Sequence, residues 1–365
     1  MPTLYLTEDR ALVRRDSEDC LLVQVPEQHG EDGTLTPAYK KRIPLIKVQD
    51  VVVMGEVTMT ASALHLLLEK NIEVHFLTHF GTFKGRLSPE LSKNSLLRMA
   101  QHRAHNEFSK RCELARRFVI GKLANQRTLL QRSDRRRSEP LFQQEIGQMA
   151  LLIRQLDSLP LEADIQATST LVSGDSGIAG TPLETILGLE GSGSAHYFRC
   201  FGHLLTDSQQ WPFAGRVKRP PTDPINALLS YGYALLTSQV SAAVQVVGFD
   251  SYIGYLHSST YGRPALSLDL MEEFRPLIVD SVVLTLLNNR MLTPDDFHVE
   301  LGAYRLKKEP RKVFLTKFEE RLNEEVTHPI FGYKTKYRRC IELQARLVAK
   351  YLTGEIDEYP PLVMR

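Results

Sequence analysis

The sequence predicts an α+β protein, with a small β-rich N-terminal domain at residues 1–87 and a larger all-α domain at 88–365. Two textures and one length carry that expectation. Up to Leu87 the apolar residues come in short alternating or β-branched runs separated by turn residues, and from Pro89 onward they recur at helical spacing. At 365 residues the chain exceeds the roughly 100–200 usual for one domain, so two are expected.

Taken in order, TLYLTE, ALVRR, CLLVQVP, RIPLIKV, VVVMGEV, EVHFLT and TFKGRL read as strands. One helix interrupts them, over ALHLLLEK, with Thr60 or Ser62 as its cap and Asn71 as its end. The insert EQHGEDGTLTPAYKK at 27–41 has loop chemistry and joins two strands. A long basic helix follows at 93–137, then helices at 140–157, 182–205, 223–243, 268–290 and 335–353. Between them, DSQQWPFAGRVKRPPTD at 206–222 is a proline-rich basic loop. The last segment, GEIDEYPPLVMR, reads as a disordered tail or a docking segment for a partner.

Charge is unevenly placed. Between Lys93 and Arg137 thirteen Lys or Arg face three acids, an excess of ten in a chain whose net charge is +2. Such a stripe suits a phosphate backbone, because each neutralised phosphate releases counterions; a solvated helix face is the plainer alternative. Four scattered cysteines without a CxxC pair argue against structural zinc and against a disulfide framework. The start MPTLYLTEDR is no leader, and no run nears the roughly 18 apolar residues that span a bilayer. A cytoplasmic protein without membrane contact is the expectation.

The chemistry concentrates in GYLHSSTYGRPALSLDLMEEFRP, where His257 precedes Glu272 by fifteen residues, and in LGLEGSGSAHYF around Glu190. Two carboxylates and an imidazole without a thiolate suit Mg²⁺ or Mn²⁺. On a helix beginning near Ser267, Asp269 shares a face with both Glu272 and Glu273, so the register leaves all three acids open. Acids crowded on an apolar helix need a cation, and Arg275 could pair with Glu272 to supply it. Pro276 should interrupt this helix, which places the acids either on it or on the preceding turn. Asn226 could cap its helix or orient a ligand, and the second is favoured here.

The runs ALHLLLEKNIEVHFLTHFGTFKGRL, LGLEGSGSAHYF, FAGRVKRPPTDPINALLSYGYALL and VGFDSYIGYLHSSTYGRPALSLDLMEEFRP resemble, in order, the integrase/endonuclease subunit of the CRISPR adaptation machinery. That resemblance implies a metal-dependent DNA integrase/endonuclease of prokaryotes that inserts spacer DNA by transesterification. It implies a homodimer assembling with a small ferredoxin-like subunit on double-stranded DNA. Glu190, His257 and Glu272 match its metal ligands, and Asp269 matches a supporting position. Arg98, Arg103, Arg111, Arg116, Arg117, Arg216, Lys218, Arg219 and Arg263 are the expected DNA contacts, and the β domain the dimer contact, through strands such as VVVMGEV. The inserts at 27–41 and 126–140 and the residue His196 depart from the family pattern. A non-catalytic DNA-binding scaffold and a nuclease of branched DNA are the competing readings; the complete Glu, His, Glu set favours the integrase over the scaffold.

Overall fold

The computed structural model describes residues 3–29, 35–90, 94–134, 140–161, 181–217, 219–257 and 260–364. Its chain divides into two compact units, Met1–Leu91 and Ser92–Arg365.

The first unit is built from strands β1 (Leu4–Leu6), β2 (Leu12–Ser17), β3 (Cys20–Val25), β4 (Gln28–His29), β5 (Leu35–Thr36), β6 (Tyr39–Pro44), β7 (Asp50–Met54) and β8 (Thr58–Met59), helix α1 (Ala61–Glu69), and strands β9 (Glu73–Leu77) and β10 (Phe83–Leu87). They form two four-stranded sheets, ordered β1-β7-β9-β10 and β6-β3-β2-β8, and the small pair β4-β5. Thr60 is the α1 cap, its hydroxyl accepting from the Ala63 amide, and Asn71 turns the chain out at φ 56°. The 27–41 insert joins β3 to β6 as expected and adds the β4-β5 pair on the way. Strand β7 corrects one expectation. VVVM is buried and β7 is bonded on both sides, to β1 and β9, so neither its side chains nor its edges are open to a second subunit. Val51, Val53, Leu66 and Val74 belong to this core instead.

The second unit opens with α2 (Ser95–Asn106), α3 (Phe108–Asp134), α4 (Pro140–Asp157), α5 (Pro182–Phe201), α6 (Pro224–Val247), α7 (Ala265–Met271) and α8 (Ser281–Asn288). The expected single basic helix is two, because Glu107 takes an extended backbone between α2 and α3. A capping box of Thr181 and Glu184 with Pro182 at the first position starts α5, and Asp223 caps α6 before Pro224. Pro276 does not end the helical path. Lacking an N–H, it opens a π-helical turn over Pro276–Asp280 in which the Asp280 amide reaches back to the Arg275 carbonyl, and α8 follows directly. Both alternatives for the acids are thereby realised: Asp269 lies on α7, while Glu272 and Glu273 lie on the turn after it.

The unit is not all-α, which corrects the expectation from sequence. Beyond α8 come β11 (Phe297–Glu300) paired with β12 (Ala303–Leu306), α9 (Lys308–Asn323), β13 (Glu325–Thr327) paired with β14 (Lys334–Lys336), and α10 (Tyr337–Thr353). Leu301 and Gly302, both at positive φ, make the two-residue turn of the first hairpin, the geometry that matches strand twist. Helix α3 packs against α4 and α5, and α6 against α7 and α10. No helix among the described residues is long and apolar enough to cross a membrane.

Candidate active site

Helix α3 supplies the centre of the site. Its apolar positions repeat at three and four residues through Phe118, Val119 and Leu123, and Lys122 and Asn125 fall on that buried face. Lys122 Nζ contacts Glu190 of α5 and lies 2.8 Å from Glu272 Oε2 on the turn after α7. Gly193 allows α5 this approach, since a Cβ there would fall 2.4 Å from the Leu123 side chain. The Ser194 hydroxyl donates to Glu190 Oε1 at 3.0 Å, one turn along α5.

Glu272 is nearly inaccessible and is held by two cations, with an imidazole nitrogen nearby. Arg275 approaches its Oε1 at 3.0 Å and His257 Nε2 at 3.8 Å, with Lys122 at the other oxygen. Burial alone would raise this carboxyl, but the charges of Arg275 and Lys122 outweigh it and hold the group at about 2. Burial likewise works against the Lys122 ammonium, yet Glu272 and Glu190 carry it above the ordinary lysine value.

Asp269 orients the imidazole. Its Oδ1 accepts from His257 Nδ1 at 2.7 Å and from the His257 amide at 2.9 Å, and its Oδ2 accepts from the amides of Tyr255 and Leu256. A carboxylate against Nδ1 fixes the proton there, which leaves the Nε2 lone pair facing Glu272. Helices α2 and α3 brace the same loop from behind. Gln101 binds the carbonyls of Asp250 and Ile253, His105 meets the Gly254 carbonyl, and Arg111 donates to the Tyr255 carbonyl at 3.2 Å.

Glu273 points the other way, into a fully buried nest. Burial pushes its carboxyl up to about 8, against hydrogen bonds from the Leu362 amide, Tyr359 and Gln344. The end of this segment, YPPLVM at 359–364, is therefore packed on its own chain, with Tyr359 and Leu362 inaccessible, while Gly354, Glu355, Asp357 and Glu358 before it are exposed. Behind the π turn, Asp280 accepts from Tyr197 at 2.8 Å and Tyr233 at 2.6 Å, and Arg275 lies over the Tyr233 ring.

The structure thus brings Glu190, His257, Glu272 and Asp269 into one neighbourhood and distributes the other expected residues differently. Asn226 is a loop hub: its Oδ1 accepts from Arg216 and the Val217 amide, and its Nδ2 donates to Gly215 and Asp223. No polar atom of that side chain is left for a ligand, which corrects the preference stated from sequence. Arg216 is spent on Asn226, Ser230 and the Val217 carbonyl. Arg116 pairs with Glu113 and binds carbonyls at the end of α4, while Arg117 pairs with Glu113 and with Glu358. Arg103 and Arg219 are exposed, Arg98 and Arg263 are partly buried, and Lys218 lies outside the described residues. His196 pairs with Glu145 of α4. Lys122 was not singled out from sequence, although a lysine and an asparagine on the apolar stripe of FVIGKLAN were the signal.

Two carboxylates on one buried lysine, with an imidazole beside the second of them, thus sit on an α+β frame of a strand-rich unit followed by a helical one. The family profile described as CRISPR associated protein Cas1 matches residues 4–320. The chain belongs to the CRISPR-associated Cas1 family. It is 38% identical over 322 residues to CRISPR-associated endonuclease Cas1 3 of Thermus thermophilus, covering 88% of each chain. It is 36% identical to a CRISPR-associated exonuclease Cas4/endonuclease Cas1 fusion of Geobacter sulfurreducens, matching 99% of this chain and spanning 60% of the fusion's length. Among solved structures, a casposase bound to integration product superposes with a TM-score of 0.81 at 21% identity, covering 100% of this chain and 95% of the other. A chain of a Cas6-RT-Cas1–Cas2 complex gives 0.74 at 24% identity, covering 99% of this chain and 36% of the other. At those identities the superpositions speak for the fold.

Proposed function

We propose that the chain is a divalent-metal-dependent DNA integrase and endonuclease of CRISPR adaptation, joining a DNA 3′-hydroxyl to a target phosphodiester with Glu190, His257 and Glu272 as its metal-binding and catalytic residues. The reading is supported by family membership, by relatives described as Cas1 endonucleases, and above all by one observation: Glu190 and Glu272 meet on the buried ammonium of Lys122, and His257 Nε2 lies 3.8 Å from the other oxygen of Glu272.

The donor set fits a hard divalent ion. Glu272 Oε2 is buried with the Lys122 ammonium 2.8 Å away as its ion-pair partner, so a metal ion at this oxygen would take a place that a cation already holds. No group of three or more His, Cys, Asp or Glu among the described residues is drawn close enough to ligate by itself, because Lys122 stands between Glu190 and Glu272. Mg²⁺ or Mn²⁺ held by Glu190, His257 and Glu272 would supply Lewis-acid polarisation of the phosphate. The remaining chemistry falls to the chain's own groups. Asp269 keeps the proton of His257 on Nδ1, and Lys122 and Arg275 place positive charge where a pentacoordinate phosphate gathers negative charge. The attacking 3′-hydroxyl gives up its proton as its oxygen bonds to phosphorus, and the target strand's own 3′-oxygen leaves and takes up a proton, so the step is proton-neutral.

The finer assembly belongs to the same proposal: a homodimer that joins a small ferredoxin-like subunit on double-stranded DNA, with Arg98, Arg103, Arg219, Arg263 and Lys218 toward the phosphates. Two 3′-ends of a spacer-length duplex lie tens of ångströms apart at about 3.4 Å per base pair, so two active subunits are required. The deciding experiment incubates purified protein, with and without the small subunit, with a short duplex and a supercoiled plasmid carrying a repeat. Covalent strand-transfer products that require Mg²⁺ or Mn²⁺ and disappear with EDTA are expected. Their absence under every metal and partner condition would overturn the reading.

A further inference from the structure

We propose that the strap of residues 359–364, keyed through the Glu273 carboxyl, is a positioning element that fixes Glu272 and Lys122 relative to one another. This rests on the reading of those two residues as part of the active site. Adjacent glutamates on one turn serve opposite faces: Glu272 faces Lys122, Arg275 and His257, and Glu273 faces the strap.

The bonds form a closed circuit. Glu273 Oε1 accepts from the Tyr359 hydroxyl at 2.7 Å, and Oε2 accepts from the Leu362 amide at 2.7 Å. Gln344 of α10 donates to the Tyr359 hydroxyl at 2.8 Å and to the Pro360 carbonyl at 3.1 Å, holding the strap from its far side. Asn125 ties both partners to α3, since its Nδ2 donates to the Glu273 carbonyl at 2.9 Å and to the Leu362 carbonyl at 2.7 Å, while its Oδ1 accepts from the Met364 amide. One helical turn earlier, Gly121 leaves the space that Glu273 and Pro361 fill; a Cβ there would lie 2.8 Å from Glu273 Cγ and 2.9 Å from Pro361 Cβ. Tyr359 also sets its ring 5.3 Å from that of Phe118. Lys122 sits between Gly121 and Asn125 on this helix, so the contacts that seat the strap bracket the ammonium at the site. Polar groups this deep have no water to turn to, which makes each bond directional and the circuit stiff. Small misplacements of charged groups at a reacting centre are costly to rate.

The test uses full-length Tyr359→Phe and Glu273→Gln, with Phe297→Leu, which trims the contact of Phe297 with Trp211 on the β11 hairpin, as a control for general destabilisation. Hydrogen exchange read by mass spectrometry reports directly on coupling, whatever the activity. Amides of 119–126 and 270–278 should be accelerated over the parent about fivefold more in both strap variants than the control's loss of global stability accelerates them. Loosening confined to the strap, or none anywhere, would overturn the proposal. Where the parent performs strand transfer, turnover at saturating DNA should fall about tenfold with DNA affinity unchanged. A loss of affinity alone, or a loss of turnover that follows thermal stability as in Phe297→Leu, would equally overturn it. A parent without strand transfer would sink the integrase reading and leave the exchange result to judge the strap.

Discussion

Lys122 and Glu272 meet at 2.8 Å inside the helical unit, with 6% and 3% of their side chains exposed, and the same ammonium also contacts Glu190. A buried ion pair of this kind is weak evidence of net stability, because desolvation cancels much of the attraction. Removing the lysine is another matter, since Glu272 then keeps only Arg275 and His257 against its burial and Glu190 loses its ammonium partner.

Lys122→Met should therefore lower stability by about 3–5 kcal/mol and remove strand transfer. Lys122→Arg keeps the charge and should recover more than half of the stability loss. Urea denaturation of the three proteins measures this. A methionine variant as stable as its parent would mean that the carboxylates are compensated elsewhere.

Asp269→Asn tests the orientation of His257 separately from its presence. An amide at this position cannot accept from the backbone amides and the imidazole with both oxygens, so the ring loses its fixed tautomer. Changes to a group that holds a ligand from behind cost roughly 10–100-fold in activity or metal affinity. DNA binding should stay within about twofold of the parent, since Asp269 is fully buried. Parent-like activity would remove Asp269 from the site's support.

What could be read beforehand was set by periodicity. The strand runs before Leu87 and the helices at 140–157 and 335–353 follow from simple spacing, and the structure has α4 at Pro140–Asp157 and α10 at Tyr337–Thr353. Helix α9 and the two hairpins escaped, since KEPRKVFLTKFEERLN is dominated by charge and the hairpin strands are three or four residues long. The motif residues Glu190, His257 and Glu272 were legible as a set, yet the separate duties of Asp269, Glu272 and Glu273 were not. Those duties depend on a one-residue difference in direction and on partners 14 residues away at Tyr255 and 86 away at Tyr359. Lys122 was hidden because one charge on an apolar stripe reads as ordinary helix variation until its acidic partners are seen.

The basic stripe divides into two kinds of arginine. Arg103 is exposed on α2, so Arg103→Ala should weaken DNA binding at any sequence and flatten the salt dependence by about one unit of slope. Arg117 is committed to Glu113 and Glu358, so Arg117→Ala should lower the melting temperature and leave the slope unchanged. Titrating DNA at several salt concentrations separates them; identical slopes for Arg103→Ala and parent would place Arg103 away from DNA.

Asp280 gives a pH prediction. Burial raises its carboxyl from 3.8 to about 6, against the hydrogen bonds from Tyr233 and Tyr197 and the charges of Arg275 and Arg216. The folded state therefore holds this proton more tightly than the unfolded chain, and its contribution to stability is greatest below about 4 and declines as pH rises to about 6. Asp280→Asn removes that decline. The melting temperature of the variant relative to the parent should rise between pH 4 and pH 7, by an amount corresponding to at most about 3 kcal/mol for a carboxyl carried from 3.8 to about 6. A difference that does not change with pH would show that Asp280 keeps an ordinary carboxyl.

Gly254 is where the loop carrying His257 comes closest to α7. A Cβ built there would lie 2.6 Å from Asp269 Oδ2 and 2.7 Å from both the carbonyl carbon and the Cβ of Ala265. The backbone atom belongs to the first turn of a packed helix and cannot yield as the end of a flexible side chain would. Gly254→Ala must therefore push the loop outward or turn the Asp269 carboxylate, and either movement loosens the bonds to the Tyr255, Leu256 and His257 amides. A stability loss of about 1–3 kcal/mol is expected from the overpacking, together with a fall in turnover like that of Asp269→Asn. Gly147 on α4 is the contrast, because a Cβ there meets nothing within 4 Å. Gly147→Ala should stabilise by about 0.5–1 kcal/mol through helix propensity alone and leave turnover as it is. Denaturation midpoints and strand-transfer rates of both variants decide the matter, and a Gly254→Ala protein with parent-like values of each would show that the contact of this loop with Asp269 is not what holds His257.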